Sequence, residues 1–288
     1  VTSPVPALRT LVDEALVVRD VVSGELFSVA PGALASEAAA VLEERRFDVA
    51  ALRENPVRRY VHVEDLRNAP DRKAGYLARV IDPVEIVSRD TPIGEVIPRL
   101  ANHDFLFVLD RDRVRWIITA ADLGAPAVSL VVLAHLIAFE RALAELVQAD
   151  YGPEFWTCLR PGRQQKVRDL FEEKRRKNLD TSIGDCLYFY DWLELAERSE
   201  FVCGSVCEPP ATKRAFRELT RRFTDARNEL AHGGGLLKAA VDGPGVDRIA
   251  AVDLFIRARE AAQRAWDACQ REGLPPETPR GAAPTLRA

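Results

Sequence analysis

Two regimes of hydrophobic patterning divide this chain. Before about residue 127 the apolar positions come in short runs bounded by turn residues, which predicts strands over Val49 to Leu52, Val57 to Val63, Phe105 to Leu109 and Val114 to Thr119. Helical periodicity predicts helices near Ser36 to Arg46 and over Pro92 to Asn102, the second kinked or shortened by Pro98. From Val128 onward strand patterns vanish. Helices are expected over Val128 to Asp150, Gln164 to Lys177, Ser182 to Arg198, Thr212 to His232 and Val246 to Cys269. The expected fold class is α+β: short sheets with helices, followed by an all-α helical bundle.

The first half repeats itself. A gapless shift of 57 positions sets Leu52 on Leu109, Val57 on Val114, Arg58 on Arg115 and Asp65-Leu66 on Asp122-Leu123. Each copy reads as helix, strand, tight turn, strand, short helix, with turns at Glu54-Asn55-Pro56 and Asp110-Arg111-Asp112. The expected division is a helical extension over 1–19, the repeat over 20–127, a bundle over 128–272 and a disordered Pro-rich tail over 273–288. Only Gly124 and Pro126 punctuate the junction, so we expect no flexible linker between repeat and bundle.

At 47% hydrophobic and 29% charged, the chain is globular. Its net charge of -4 excludes a uniformly basic nucleic-acid binder and leaves only local patches for such contact. Asp13, Glu14, Arg19 and Asp20 interrupt any signal-like run near the start. Five scattered cysteines fit reduced thiols and a cytoplasmic location. Methionine is absent and the chain begins with Val1, from which we expect an alternative start codon. The apolar run Val128 to Phe139 is too short to span a bilayer, and we expect a core helix and no membrane association.

On the predicted helix Thr212 to His232, Phe216, Leu219, Phe223, Ala226 and Leu230 form one apolar stripe. Asn228 and His232 lie four apart on the polar side, while Arg227 sits on the flank of the stripe. The segment ends in Gly233-Gly234-Gly235, which permits a distorted last turn that would bring Arg227 and His232 together. A histidine exchanges a proton near neutral pH, and a guanidinium binds two phosphoryl oxygens at once. A basic residue in a last helical turn is also favourable on macrodipole grounds alone.

Arg227-Asn228-Glu229-Leu230-Ala231-His232 resembles the R-x4-6-H signature of HEPN domains, many of which are metal-independent ribonucleases acting as homodimers. The resemblance implies that His232 acts on the RNA 2′-hydroxyl or the leaving group. Arg227 would stabilise the phosphate and Asn228 orient substrate or His232. Glu140, on the first bundle helix, is a candidate supporting partner.

The repeat resembles a tandem pair of CBS domains, best in Ile117-Ile118-Thr119-Ala120-Ala121-Asp122-Leu123. That resemblance implies an adenine nucleotide such as AMP or ATP as regulatory ligand, with Asp122 on the ribose and Thr119 near phosphate. In the first copy Asp65 is retained, but His62 stands at the threonine position. Thr-x-x-Asp before a helix is equally an ordinary N-terminal cap. The combined expectation is a homodimeric, nucleotide-regulated endoribonuclease with no required metal or cofactor, of a layout that would fit stress or phage defence. The alternative is a non-catalytic regulatory or partner-binding protein, in which Arg227 and His232 are buried or capped separately.

Overall fold

The computed structural model describes residues 14, 16–22, 24–209, 212–240 and 247–274. The chain divides into two compact units, one of residues 16–127 and one containing the helices from 128 onward. The fold is α+β, with all strands among the described residues in the first unit. Most of the expected extension over 1–19, and the expected tail from 275 onward, lie outside the described residues.

The first unit carries β1 (Ser28–Val29), α1 (Ala35–Arg45), β2 (Val49–Leu52), β3 (Arg59–His62), α2 (Val63–Asn68), α3 (Ala74–Leu77) and β4 (Arg79–Val80). Its second copy carries β5 (Ile86–Ser88), α4 (Ile93–Val96), β6 (Phe105–Asp110) and β7 (Arg113–Thr119). One sheet has the order β1-β2-β3-β4, the other β5-β6-β7. In each copy the leading strand runs parallel to the first strand of an antiparallel hairpin. Helix α4 passes at Ile97 into a 3-10 turn over Ile97–Ala101, as the missing N–H of Pro98 requires. The expected strand Val57 to Val63 is shorter, because Val63 already begins α2.

The repeat is closer to twofold than to a simple tandem, because each copy lends its leading segment to the other. The segment before copy two lies on copy one: Ala35 N–H donates to Arg72 O (2.8 Å), Ala74 N–H to Ala33 O (2.9 Å) and Ile81 N–H to Arg58 O (2.9 Å). The segment before copy one makes the matching bonds on copy two. Ile93 N–H donates to Leu16 O (2.9 Å), Val18 N–H to Thr91 O (3.0 Å) and Leu26 N–H to Arg115 O (2.7 Å). Residues 16–19, expected to belong to a separate extension, are therefore part of this unit.

An aromatic cluster joins the two copies. Tyr60 of copy one packs on Phe105 and Phe107 of copy two, with ring centroids 5.6 and 5.1 Å apart. Val49, Ile81 and the fully buried Phe107 complete this core. Copy one has its own core, where Ala35, Ala38 and Leu42 of α1 meet Ala50, Leu52 and Val61 of the sheet.

The second unit consists of α5 (Pro126–Tyr151), α6 (Pro161–Arg176), α7 (Phe189–Arg198), α8 (Glu200–Val206), α9 (Lys213–Ala231), α10 (Leu236–Ala239) and α11 (Arg248–Arg271). The expected helix Ser182 to Arg198 is instead a loop with a 3-10 turn over Gly184–Cys186, followed by α7. Helix α5 is 26 residues long, and its length and composition alone would suffice to cross a membrane, so the argument from a short apolar run does not hold. Most of its large apolar residues are nevertheless core: Val128, Val131, Val132, Leu136, Phe139, Leu143, Leu146 and Val147 are buried, while Leu130 is exposed. His135 is buried on the same helix, edge-on to Phe255 of α11 at 5.6 Å.

Phe107 lies where both copies converge, so truncating it removes contacts from both. Phe107→Ala is expected to destabilise the first unit by about 3–5 kcal/mol, read as a lowered midpoint in chemical denaturation.

Candidate functional site

Helix α9 is built as its pattern predicts. Phe216, Leu219, Phe223, Ala226 and Leu230 are buried, and Thr212 caps the N-terminus by accepting from Ala215 N–H (3.1 Å). Its C-terminal end is a regular Schellman closure. His232 is the C-cap and Gly233 the following left-handed residue, at φ +83°. Gly233 N–H donates to Leu230 O (3.1 Å) and Gly234 N–H to Glu229 O (2.9 Å). A Cβ on Gly234 would lie 2.1 Å from the Glu229 carboxylate, so a side chain there would displace the Glu229–Lys238 ion pair (2.6 Å).

The distorted last turn expected to bring Arg227 and His232 together is absent. Arg227 turns inward. Its Nη2 pairs with Glu140 Oε2 of α5 at 3.2 Å, and its guanidinium lies over the Phe189 ring of α7 at 5.5 Å. Arg227 Nε is buried without a hydrogen-bond partner. Burial pushes the Glu140 carboxyl above its ordinary value, and the Arg227 charge opposes that shift. Asn228 and His232 are exposed. The structure thus joins Arg227 to Glu140 and leaves His232 apart from both.

The second candidate site lies in the repeat, at the turns that follow β3 and β7. Thr119 caps a 3-10 turn over Ala120–Gly124 and accepts from Ala121 N–H at 3.2 Å. Its own N–H (2.7 Å) and Oγ1–H (3.1 Å) both donate to Asp122 Oδ2. His62 occupies the same place in copy one, with Nδ1 accepting from Glu64 N–H at 3.3 Å. There the carboxylate goes elsewhere. Asp65 takes a fork from Arg79, Nε to Oδ2 at 2.7 Å and Nη2 to Oδ1 at 2.8 Å. This hydrogen-bonded pairing raises the Arg79 pKa. Burial raises the Asp122 pKa, with the Thr119 hydrogen bonds opposing. The five-residue turn after Thr119 offers an anion only a single turn's dipole, less than the helix start expected there.

The basic stretch Arg160 to Lys177 is largely engaged within the bundle. Arg163 forks onto the buried Asp191 at 2.7 and 2.6 Å and lies over the Tyr188 ring at 4.5 Å. Lys174 donates to Asp185 O at 2.8 Å, and Lys177 pairs with Glu173 at 2.6 Å. At the start of α7, Phe189 and Trp192 are core, whereas Tyr190 and the N-cap Tyr188 are exposed. Phe189 as a platform for Arg227, and Arg79 as the partner of Asp65, were not anticipated. No local signal links residues 38 or 14 positions apart.

No protein-family model and no curated protein matches the chain. Among solved structures, it is similar to a CBS domain pair in complex with 5′-methylthioadenosine and S-adenosyl-L-methionine (19% identity, 38% of this chain and 92% of that one, TM-score 0.33). It is similar to CBSX2 in complex with AMP (17%, 40% and 97%, TM-score 0.35). It is also similar to a CBS-domain containing protein from Agrobacterium tumefaciens (14%, 37% and 89%, TM-score 0.32).

Two measurements test these geometries. In a double-mutant cycle, Glu140→Gln and Arg227→Ala are expected to be non-additive by about 1–2 kcal/mol in unfolding free energy, as contacting residues are. The second concerns Asp122, whose folded-state pKa lies above its unfolded value. Its ionisation therefore opposes folding, and the stability it contributes is present below the ordinary aspartate value of 3.8 and lost as pH rises through the raised one. Asp122→Asn is expected to gain stability relative to wild type at neutral pH. That advantage should fade as pH falls through the window above 3.8, as read from thermal denaturation across pH.

Proposed function

We propose that this chain is a nucleotide-responsive effector, in which a CBS-type pair binds an adenine nucleotide and a HEPN-type helical unit cleaves RNA as a homodimer. The observation that supports the RNA-cleaving part is the placing of Arg227, Asn228 and His232 at the end of α9, with Asn228 and His232 exposed. Arg227 keeps about 36% of its side chain exposed, and in this reading the phosphate approaches it from solvent.

In this reading His232 takes the proton of the 2′-hydroxyl. The 2′-oxygen attacks the adjacent phosphorus, the bond to the 5′-oxygen breaks, and a 2′,3′-cyclic phosphate and a 5′-hydroxyl result. The leaving oxygen needs a proton, which the second copy's helix end supplies in a homodimer. Arg227 stabilises charge on the phosphorane, and Asn228, one turn before His232, orients the strand. On the sensing side, Asp122 accepts from the ribose diol and Thr119 lies near phosphate. AMP and S-adenosyl-L-methionine are held by CBS structures to which the chain is similar, which supports an adenine-type ligand.

One observation favours a second reading, a regulatory module without catalysis. Arg227 is held inward by Glu140 and Phe189, and His232 serves as a C-cap, so each has a separate structural role.

RNA cleavage in EDTA decides between them. The nuclease reading expects cleavage that falls by about 10²–10⁴ in His232→Ala and changes in rate with added AMP or ATP. No cleavage under any nucleotide condition, from folded and dimeric protein, would establish the regulatory module instead.

A further inference from the structure

A groove of about 370 Å³ opens in the helical unit between α7 and α9. Four guanidiniums reach it, from Arg160, Arg198, Arg217 and Arg221, against the carboxylates of Glu194, Glu197 and Asp225. In a chain of net charge -4 this is a local excess of positive charge. Glu194 alone serves two of the arginines, Arg160 at 3.3 Å and Arg198. Arg217 is held by Glu197 (2.5 Å), and Arg221 stands 3.7 Å from Asp225. The carboxylates orient the guanidiniums without cancelling their sum. Tyr190 lines the same groove with 60% of its surface exposed, although its chain neighbour Phe189 is core.

The helical repeat links this groove to the end of α9. At about 100° per residue, Arg217, Arg221, Thr224, Asn228 and His232 fall within a stripe of about 80°. That stripe lies opposite the buried Phe216, Phe223 and Leu230. Asn228 stands one turn beyond the last groove residues, and His232 one turn further. From Arg217 to His232 the stripe is about 22 Å long.

We propose that this groove is the track for single-stranded RNA next to the scissile phosphate, with a base stacked on Tyr190 and backbone phosphates on Arg217 and Arg221. The proposal rests on the RNA-cleaving reading of His232. An aromatic face beside guanidiniums suits a single strand, because every base has a face and every linkage a charge.

The test is fluorescence anisotropy of a labelled single-stranded oligoribonucleotide in EDTA. The full chain carries His232→Ala, so that the probe stays intact. Adding Tyr190→Ala is expected to weaken binding about 5- to 100-fold, the range for loss of one base stack. Adding Arg221→Glu is expected to weaken it and to lower the slope of log affinity against log salt by about one or more. Both side chains are exposed, and unchanged thermal denaturation of either variant suffices to keep the test valid. Unchanged affinity in both variants, with His232-dependent cleavage intact in the otherwise wild-type chain, would overturn the groove and leave the nuclease reading standing. Groove-dependent RNA binding without any cleavage by wild type would support the groove and remove the nuclease reading. Absence of RNA binding altogether would overturn the groove.

Discussion

A guanidinium turned into a helical bundle must find a carboxylate, and that requirement organises the end of α9. Arg227 meets Glu140 and lies over Phe189, so one side chain ties α9 to both α5 and α7. Desolvating such a pair costs more than its attraction returns unless further contacts satisfy it. Here partial exposure of Arg227 and the ring of Phe189 lower that cost. The same pairing sets the chemistry available. With Arg227 held inward and the last turn closed regularly by Gly233 and Gly234, His232 is committed to the outer face. The two residues that define the motif are thus presented to different surroundings.

The repeated unit shows a related economy in its turns. Thr119 and Asp122 satisfy each other and the backbone, which is what an N-terminal cap does with or without a ligand. A carboxylate has more acceptor sites than the two bonds from Thr119 consume, so capping and ribose binding are compatible. The burial that raises the Asp122 pKa also means that any donor replacing water there would act in a medium where a hydrogen bond to the carboxylate is worth more.

Much of this fold was legible in the sequence, and the omissions have physical causes. The hairpins, the α9 stripe and the break at Pro98 follow from periodicity and proline geometry, which are local. The leading strands β1 and β5 are two and three residues long and are strands only because a neighbour pairs with them. The gapless 57-residue shift hid a slip. Val49 faces His62 in copy one, but Phe105 faces Thr119 in copy two, so the first hairpin strands match at 56 and the second at 57. An irregularity between Val108 and Leu109 absorbs the extra residue. At the end of α9, Glu140 was legible as a partner because it is the first acidic residue after the apolar run Val128 to Phe139. The groove was not, because Tyr190 and Arg221 belong to helices whose facing sides only packing reveals.

The two copies differ where a ligand would act, and the difference has a direction. In copy one the carboxylate of Asp65 is committed to a bidentate bond with Arg79, and His62 stands where copy two has Thr119. A ribose diol entering there must displace a charge-assisted fork, among the stronger hydrogen-bonded contacts available to a carboxylate. In copy two the competing groups are one hydroxyl and one backbone N–H, and both can remain while the second carboxylate oxygen accepts. The two turns are therefore unequal in the hydrogen bonds their carboxylates already hold. Each copy also holds the leading segment of the other, through backbone bonds at Leu16 and Val18 on one side and at Arg72 and Ala74 on the other.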